Sequence, residues 1–327
     1  MGMSLTDIFP ESYRVYFRTA QGRAEQVSEI RLRIGGPAIL MEGYREVFLR
    51  EDGAYTEHME QAWRPNRQAL GEIVSHLCQY SLYAYEDELR QGYITIEGGH
   101  RVGIVGQAVQ ESANSIRTIK HISALNIRVA HQILGAATPV LPYVYRRGSM
   151  SNTLIVSPPG CGKTTLLRDL VRQISCGNAY GPARTVGVVD ERSEIAGCYM
   201  GQPQNDLGPR SDVLDACPKA LGMMMLLRSM SPAVLAVDEL GSGEEIRAVR
   251  MAASCGVSLV ATIHGMDMQD VQGKPGMGAL LEEGIFTCML VLKRDRQGRC
   301  RVGQVLHRRQ AGGVWEEVAG DGQIGGL

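Results

Sequence analysis

The stretch Ser157-Pro158-Pro159-Gly160-Cys161-Gly162-Lys163-Thr164-Thr165 decides the fold of this chain. A short apolar run, Leu154 to Val156, precedes it, and apolar residues at helical spacing follow it as far as Gly177. The pattern predicts a buried strand, a glycine-rich loop and a helix that ends at Gly177. A strand, such a loop and a helix in this order are typical of a phosphate-binding loop.

The loop carries the residue types that phosphate binding requires. Gly160 and Gly162 let the backbone curl so that successive N–H groups point at phosphate oxygens, and the start of the helix adds further unpaired N–H groups. Lys163 would reach the β- and γ-phosphates, and the hydroxyl of Thr164 would bind Mg²⁺. The residues expected to contact the nucleotide are Pro159, Gly160, Cys161, Gly162, Lys163, Thr164 and Thr165.

A second signal is needed, because Ser157 stands where the usual pattern opens with glycine and an ordinary strand-to-helix turn would also fit. The apolar run Ala233 to Val237 predicts a buried parallel strand. Asp238 and Glu239 follow at its carboxyl end, where α/β sheets bind ligands. Asp238 is suited to hold Mg²⁺ through water, and Glu239 to polarise the attacking water. The alternative is a solvated strand end without a role.

Two further buried strands end in polar residues. The run Thr185 to Asp190 is followed by Glu191 and Arg192, for which a plain surface loop is the alternative. The run Val257 to Ile263 contains Thr262 and is followed by His264. Side chains at that strand end could sense the γ-phosphate or orient water, or the histidine could simply cap its strand.

These strands alternate with helices, so we predict a mostly parallel α/β sheet with right-handed crossovers. A polar strand bearing Thr262 and His264 indicates the additional-strand (ASCE) division of P-loop NTPases, in which this strand lies between the loop strand and the Asp-Glu strand. Such enzymes hydrolyse ATP and commonly form rings, in which a neighbour's arginine completes each site and contributes ~10³ to 10⁵ in rate. The candidates for that arginine are Arg31, Arg33, Arg101, Arg128, Arg192 and Arg210.

The composition is that of an ordinary globular protein, and the net charge is too small to attract the whole protein to nucleic acid or anionic lipid. The 327 residues are 44% hydrophobic and carry a net charge of −1, which predicts two domains with full cores. Eight scattered cysteines without a C-x-x-C pair argue against a zinc site or a disulfide framework and fit a reducing cytosol. We expect no signal peptide and no integral membrane segment.

Residues 1–148 lack nucleotide motifs and are predicted to form a smaller α+β domain and a linker, followed by the ATPase domain at 149–310 and a frayed tail at 311–327. The first domain should contain a hairpin at Ser28 to Met41, a helix at Leu70 to Cys78 and a second hairpin around His100, which we expect to be exposed. In the second domain we predict a helix from Leu214 to Met230 and a terminal hairpin that turns at Arg296-Gln297-Gly298.

Four segments together resemble the family of stage III sporulation protein AA over residues 5 to 310: Glu29 to Arg33, Ser157 to Thr165, Val189 to Gly197, and Ala261 to Gly265. That family is similar to the motor ATPases of type II and type IV secretion. The resemblance therefore implies an N-terminal domain followed by a RecA-like ATPase core.

The resemblance also implies a function. It indicates a cytoplasmic, Mg²⁺-dependent ATPase of spore-forming bacteria, acting as a homo-hexameric ring in the mother cell at the base of a channel to the forespore, with membrane proteins of that complex as partners. By the same resemblance, Asp190-Glu191 would correspond to the acidic box of secretion motors and His264 to their histidine box. The predicted catalytic residues are Glu239, Lys163, His264, Thr262 and Glu191, and the predicted metal ligands are Thr164 and Asp238.

Three hypotheses about function stay open at this point. The first is the ring ATPase that drives a secretion-like channel. The second is an ATP-dependent nucleic-acid motor, against which the near-neutral charge and the low content of Trp and Phe count. The third is a nucleotide-gated scaffold with little turnover, against which the presence of Lys163, Asp238 and Glu239 counts.

Overall fold

The structure is a computed structural model that describes residues 4–43, 45–81, 85–112, 115–146, 148–295, 298–308, 313–320 and 324. Contacts divide the chain into two compact units, Met1–His131 with Gly197–Gln204, and Gln132–Ala196 with Asn205–Leu327. The first unit thus ends before residue 148 and includes a later segment of the chain. The predicted turn residues Arg296 and Gln297 lie outside the described residues.

Among the described residues, the first unit is built on an antiparallel sheet of seven strands in the order β4-β3-β2-β1-β7-β6-β5. The strands are β1 (Val27–Arg33), β2 (Ile39–Glu42), β3 (Arg45–Leu49), β4 (Tyr55–Thr56), β5 (Tyr93–Thr95), β6 (Arg101–Ser112) and β7 (Ser115–Arg128). Both predicted hairpins are confirmed, since β1 pairs with β2 and β5 pairs with β6. The alternation in β1 buries Ile30 and Leu32 in the core of this unit.

The helices of the first unit are short except for one. They are α1 (Glu11–Arg14), α2 (Arg18–Gln21), α3 (Arg67–Leu77) and α4 (Glu86–Arg90), with 3₁₀ turns at Leu5–Ile8, Val15–Phe17, Ala24–Gln26, Met59–Gln61 and Glu97–Gly99. The predicted helix is confirmed as α3, whose apolar stripe is buried. The Asn66 side chain begins this helix by accepting the backbone N–H of Ala69 at 2.8 Å, which satisfies one otherwise unpaired donor.

The expectation that His100 is exposed is wrong. Its side chain follows a glycine turn, but the residue is only 7% exposed, and Nδ1 accepts the backbone N–H of Ala130 at 3.0 Å. The glycines alone gave no sign of this contact, which joins positions thirty residues apart. Burial, with a smaller effect of His131, lowers the pKa of His100 to about 4.

The later segment Gly197–Gln204 is held in the first unit by hydrogen bonds. The Tyr199 hydroxyl lies 3.3 Å from the Tyr85 hydroxyl, and the Gln204 side-chain oxygen accepts the N–H of Gly98 at 2.9 Å. This segment is therefore anchored at two points within the first unit.

In the described part of the chain, the second unit is built on a sheet of eight strands in the order β12-β11-β13-β14-β10-β15-β16-β17. After the small hairpin of β8 (Tyr145–Arg146) and β9 (Ser149–Met150), its strands are β10 (Thr153–Ser157), β11 (Val186–Asp190), β12 (Ser211–Asp215), β13 (Val234–Val237), β14 (Ser258–His264), β15 (Cys288–Arg294), β16 (Cys300–Arg308) and β17 (Trp315–Ala319). Neighbours from β12 to β15 pair in parallel, and β15, β16 and β17 pair antiparallel. The chain thus has an α/β fold with mixed sheets.

Two helices of the second unit, α6 and α8, begin at residues that favour a helix start. They are α5 (Leu141–Val144), α6 (Lys163–Cys176), α7 (Lys219–Ser229), α8 (Gly243–Ser254), α9 (Met268–Gln272) and α10 (Met277–Glu282), with a 3₁₀ turn at Thr138–Val140. Gly162 and Gly177 bound α6 with φ of 84° and 81°, a conformation that glycine adopts readily. Ser242 begins α8 through a capping box with Glu245.

Two predictions for the second unit are wrong. Leu214 and Asp215, which are predicted to begin a helix, belong to an edge strand, Ser211–Asp215, that pairs with β11, and Pro218 fixes the start of α7 beyond it. The tail is not frayed at Trp315–Ala319, which pairs with β16, and the Trp315 ring lies 6.0 Å from the Arg308 guanidinium. In the part of the chain that the structure describes, no helix combines the length and apolar character needed to cross a bilayer.

The buried His100 generates a prediction about acid stability. Because its pKa falls from the ordinary 6.5 to about 4 on folding, the unfolded chain binds a proton that the folded chain rejects. Stability is therefore complete above about pH 6.5 and declines as the pH falls towards 4, by about 2–3 kcal/mol at pH 4.5.

Urea unfolding of the wild type and of His100→Asn at about pH 7.5 and pH 4.5 checks this. Asn keeps an acceptor for the Ala130 N–H without titrating, so the variant should lose about 2–3 kcal/mol less on acidification. His58→Asn is the control, because the His58 side chain is 69% exposed, and it should keep the wild-type slope. Parallel pH dependence in the wild type and His100→Asn would contradict the assignment.

Candidate functional site

The carboxyl ends of four neighbouring strands meet at one edge of the second unit's sheet. Strands β11, β13, β14 and β10 are consecutive and parallel, so the polar residues that follow them lie side by side. The strand that bears Thr262 and His264 lies between the loop strand and the strand before Asp238-Glu239, which is the order that the sequence predicts.

The loop from Pro158 to Gly162 joins β10 to α6. Gly160 and Gly162 have φ of 65° and 84°, a region in which side chains are strained, so both positions use glycine's freedom. Ser157 is the last residue of β10 and pairs with His264 in the parallel register. A serine at this position therefore extends the strand.

Lys163, the first residue of α6, is 8% exposed, and its ammonium lies against His264. Nζ is 3.0 Å from His264 Nδ1, while His264 Nε2 is 2.7 Å from a Glu239 oxygen. Since an ammonium can only donate, Nδ1 accepts and Nε2 carries the proton that is donated to Glu239. Burial lowers the pKa of Lys163, although Asp238 and Glu239 act in the opposite direction.

The Asp238 carboxylate is held between two threonine hydroxyls. The hydroxyl of Thr262 donates to Oδ1 at 2.5 Å, and that of Thr164 lies 3.5 Å from Oδ2. Hydroxyl and carboxylate oxygens are groups that suit Mg²⁺. Thr164 and Asp238 would therefore fit a magnesium ion.

Glu239 adopts a left-handed backbone conformation with φ of 45°, which is uncommon for a residue with a side chain. Hydrogen bonds on both sides fix it. The N–H of Glu239 donates to the Thr262 hydroxyl at 2.9 Å, and the N–H of Leu240 donates to the Thr262 carbonyl at 2.8 Å. The N–H of Gly241 donates to a Glu245 oxygen at 2.7 Å. Strain of about 1–3 kcal/mol persists only where neighbours over-determine it, as they do here.

Asp190 and Glu191 play different structural parts. Asp190 is 1% exposed, and its carboxylate accepts the N–H groups of Glu194, Ile195 and Ala196 at 2.8–3.0 Å. Burial raises the pKa of Asp190 even though these three N–H groups act to lower it. Asp190 thus shapes the loop that follows β11. A cleft at this end of the sheet is lined by Asp190, Glu191, Arg192, Lys219, Asp238 and Glu239. Within it, the Glu191 carboxylate accepts a hydrogen bond from Lys219 Nζ at 2.7 Å.

The arginine candidates lie in different settings. Arg192 Nη1 is 3.6 Å from a Glu239 oxygen, so this arginine belongs to the cleft of its own chain. Arg210 donates to the Ser175 carbonyl near the end of α6, far along the helix from the loop. The remaining candidates belong to the first unit: Arg31 and Arg128 face Glu29, Arg101 lies over the Tyr93 ring, and Arg33 is exposed at the end of β1.

Sequence reasoning missed three residues that shape the site. Lys219 lines the cleft with Glu191 and Glu239. Arg168 on α6 donates to the carbonyls of Glu194 and Ile195, both at 2.7 Å. Arg294, at the end of β15, donates to the Gly160 carbonyl of the loop at 2.6 Å. Each contact joins residues far apart in the chain, so only a weak signal existed: Arg168 lies one turn after Thr164 on the same predicted helix.

Comparison with solved structures identifies the class of fold. The Yersinia pseudotuberculosis ATPase DotB superposes with a TM-score of 0.62 at 15% identity, covering 94% of this chain and 82% of that chain. The pilus retraction motor PilT, solved with bound ADP, gives 0.57 at 14% identity and covers 90% of this chain and 83% of that chain. At such identities the likeness establishes the fold alone, which is the fold that these two proteins share.

Comparison of sequences identifies the family. The profile described as "Sporulation stage III, protein AA" matches residues 4–311. Stage III sporulation protein AA of Bacillus subtilis (strain 168) is 42% identical over 306 residues, covering 93% of this chain and 94% of that protein. The chain therefore belongs to the stage III sporulation protein AA family, which confirms the resemblance seen in its motifs.

The shared hydroxyl of Thr262 gives a prediction that does not depend on catalysis. Thr262 is fully buried, so Thr262→Val leaves the Glu239 N–H and an Asp238 oxygen without their partner and should cost about 1–3 kcal/mol of unfolding free energy. Urea unfolding measures the loss. Thr262→Ser keeps the hydroxyl and should be clearly more stable than the valine variant, and equal stability of the two would contradict this role.

Proposed function

We propose that this chain binds ATP with Mg²⁺ and hydrolyses it to ADP and phosphate, using a RecA-like core of the ASCE type. The observation that carries the proposal is the meeting of the loop with the acids: Thr164 lies 3.5 Å from Asp238, and Lys163 is joined to Glu239 through His264. These contacts support a site in which the loop would hold phosphate, Thr164 and Asp238 would hold magnesium, and the Glu239 carboxylate, which contacts His264, would act on water. The similarity in fold to ATPases supports the same conclusion.

The binding residues have separable tasks. Loop N–H groups from Gly160 to Thr165 and the start of α6 bind phosphate oxygens, and Lys163 leaves His264 to contact the β- and γ-phosphates. Thr164 and Asp238 hold Mg²⁺, which, when bound, neutralises the charge on the phosphates. Pro159 and Cys161 complete the loop around the nucleotide.

Glu239 is the proposed general base. Its strained backbone directs the carboxylate towards His264 and Arg192, and it would accept the proton of the attacking water. Thr262 holds Glu239 and Asp238 in a fixed relative position. His264 links the base to Lys163, and its contact with Lys163 would break when Lys163 moves to phosphate. Glu191, at the neighbouring strand end, is the second acid of the site.

We further propose that the protein works as a homo-hexameric ring at the cytoplasmic face of the mother-cell membrane. There it would drive a secretion-like channel to the forespore together with membrane proteins of the same complex. Membership of a sporulation family and the fold shared with a pilus retraction motor support this assignment. An arginine from the adjacent subunit would complete each site, with Arg31, Arg33, Arg101, Arg128 and Arg210 as candidates, whereas Arg192 already faces Glu239 of its own chain.

Two substitutions separate binding from hydrolysis. Lys163→Ala should abolish ATP binding, because the loop then lacks its phosphate-contacting cation, whereas Glu239→Gln should bind ATP and lower kcat by about 10² to 10⁴. Binding of a fluorescent ATP analogue and phosphate release provide the two readouts. Lys274→Ala, on the same unit but outside the cleft, is the control for Lys163→Ala. Hydrolysis at the wild-type rate by Glu239→Gln would refute the assigned base.

The ring predicts a second behaviour. ATPase activity per subunit should rise steeply with protein concentration and respond little to single-stranded DNA, because the site needs a neighbour rather than a nucleic acid. Phosphate release measured over a hundredfold range of concentration, with and without single-stranded DNA, tests this. Stimulation by DNA would favour a nucleic-acid motor, and ATP binding without turnover at any concentration would favour a nucleotide-gated scaffold.

A further inference from the structure

Lys219 is a buried cation that lines the cleft opposite the loop. It is the first residue of α7 and is 9% exposed. Its ammonium lies 2.7 Å from a Glu191 oxygen and 3.4 Å from a Glu245 oxygen. Lys219 therefore ties together an acid that follows β11 and an acid in the first turn of α8.

Each of these acids is attached to a different part of the site. Glu191 follows Asp190 directly at the end of β11. Glu245 lies on α8, where Oε2 accepts the N–H groups of Gly241 at 2.7 Å and Ser242 at 3.1 Å, while Oε1 faces Lys219. Gly241 lies two residues beyond Glu239, so Glu245 fixes the turn that carries the proposed base.

The electrostatics favour a permanently charged lysine. Burial opposes the ammonium charge, but the hydrogen bond with Glu191 and the charge of Glu245 outweigh it, and the pKa of Lys219 is raised. Glu245 is only 8% exposed, so removal of Lys219 would leave a buried carboxylate without its cation. The Glu191 carboxylate is more exposed and would be free to turn away.

We propose that Lys219 is a positioning residue of the hydrolytic site, which holds Glu191 in fixed relation to the turn that carries Glu239. This inference rests on the proposed ATPase function. Lys219 acts through the two acids, so it governs the rate of hydrolysis rather than the affinity for nucleotide. Among the described residues, the Lys219 ammonium pairs with Glu191 and Glu245 and not with the phosphate-binding loop that joins β10 to α6.

The test compares Lys219→Met with Lys219→Arg and with Arg228→Met, which removes one positive charge from the exposed end of the same helix. We expect Lys219→Met to lower kcat by about 10²-fold, the cost of misplacing a catalytic group by about 1 Å, with the affinity for a fluorescent ATP analogue changed by less than about threefold. Lys219→Arg should restore most of the rate, because a guanidinium can pair with both carboxylates. Arg228→Met should behave as the wild type.

A double-mutant cycle distinguishes positioning from simple support of the fold. If Lys219 acts through Glu191, Lys219→Met should lower kcat by less than about threefold further in a Glu191→Gln background. Glu245→Gln keeps an acceptor for Gly241 and Ser242 but loses the charge that faces Lys219, so it should also lower kcat with little change in affinity. This second variant carries the test if Lys219→Met fails to fold.

Three results would overturn the inference. They are an unchanged kcat in Lys219→Met and Glu245→Gln, a fully additive effect with Glu191→Gln, and a loss of nucleotide affinity as large as the loss of rate. The failure of the proposed function is recognised separately, because the wild type itself would then release no phosphate from ATP, and no catalysis would exist for Lys219 to support.

Discussion

One hydroxyl group, that of Thr262, fixes the acidic half of the candidate site. It donates to Asp238 at 2.5 Å and accepts the N–H of Glu239 at 2.9 Å, so a single oxygen sets the relation between the two acids. This is possible only because β14 lies directly beside β13. The left-handed backbone of Glu239 follows from it, since the N–H groups before and after the bend both find partners on β14. The strand order thus determines which way the proposed base points.

Two aspartates at neighbouring strand ends show how environment decides the use of the same residue type. Asp190 is almost fully buried, and its carboxylate oxygens accept hydrogen bonds from three backbone N–H groups. It thereby organises the loop after β11, which Arg168 also connects to α6. Asp238 contacts two hydroxyls and retains the capacity to bind a cation. Of the two acids Asp190 and Glu191, it is therefore Glu191 whose carboxylate faces the cleft, where it forms an ion pair with Lys219.

Local patterns predicted those parts of the molecule whose cause is local. The apolar runs of β10, β11, β13 and β14, the glycines around α6 and the acids after β13 were all visible in the sequence, and the strand order followed from Thr262 and His264. The errors share one physical origin, which is pairing between distant residues. An edge strand at Ser211–Asp215 and a last strand at Trp315–Ala319 exist because of their partners, and the buried His100 accepts the N–H of the distant Ala130. Lys219 was invisible for the same reason, since its two acids lie on other elements.

The segment Gly197–Gln204 belongs to the first unit but lies between two parts of the second unit in the sequence. Neither unit is therefore encoded by one continuous stretch of the gene. A polypeptide that stops at His131 would lack Tyr199 and Gln204, which bond to Tyr85 and Gly98, so its fold would be incomplete. No single cut separates the two units, and transplanting either into another protein would require two splices. Recombination that shuffles whole modules between genes would therefore tend to keep or discard this pair together.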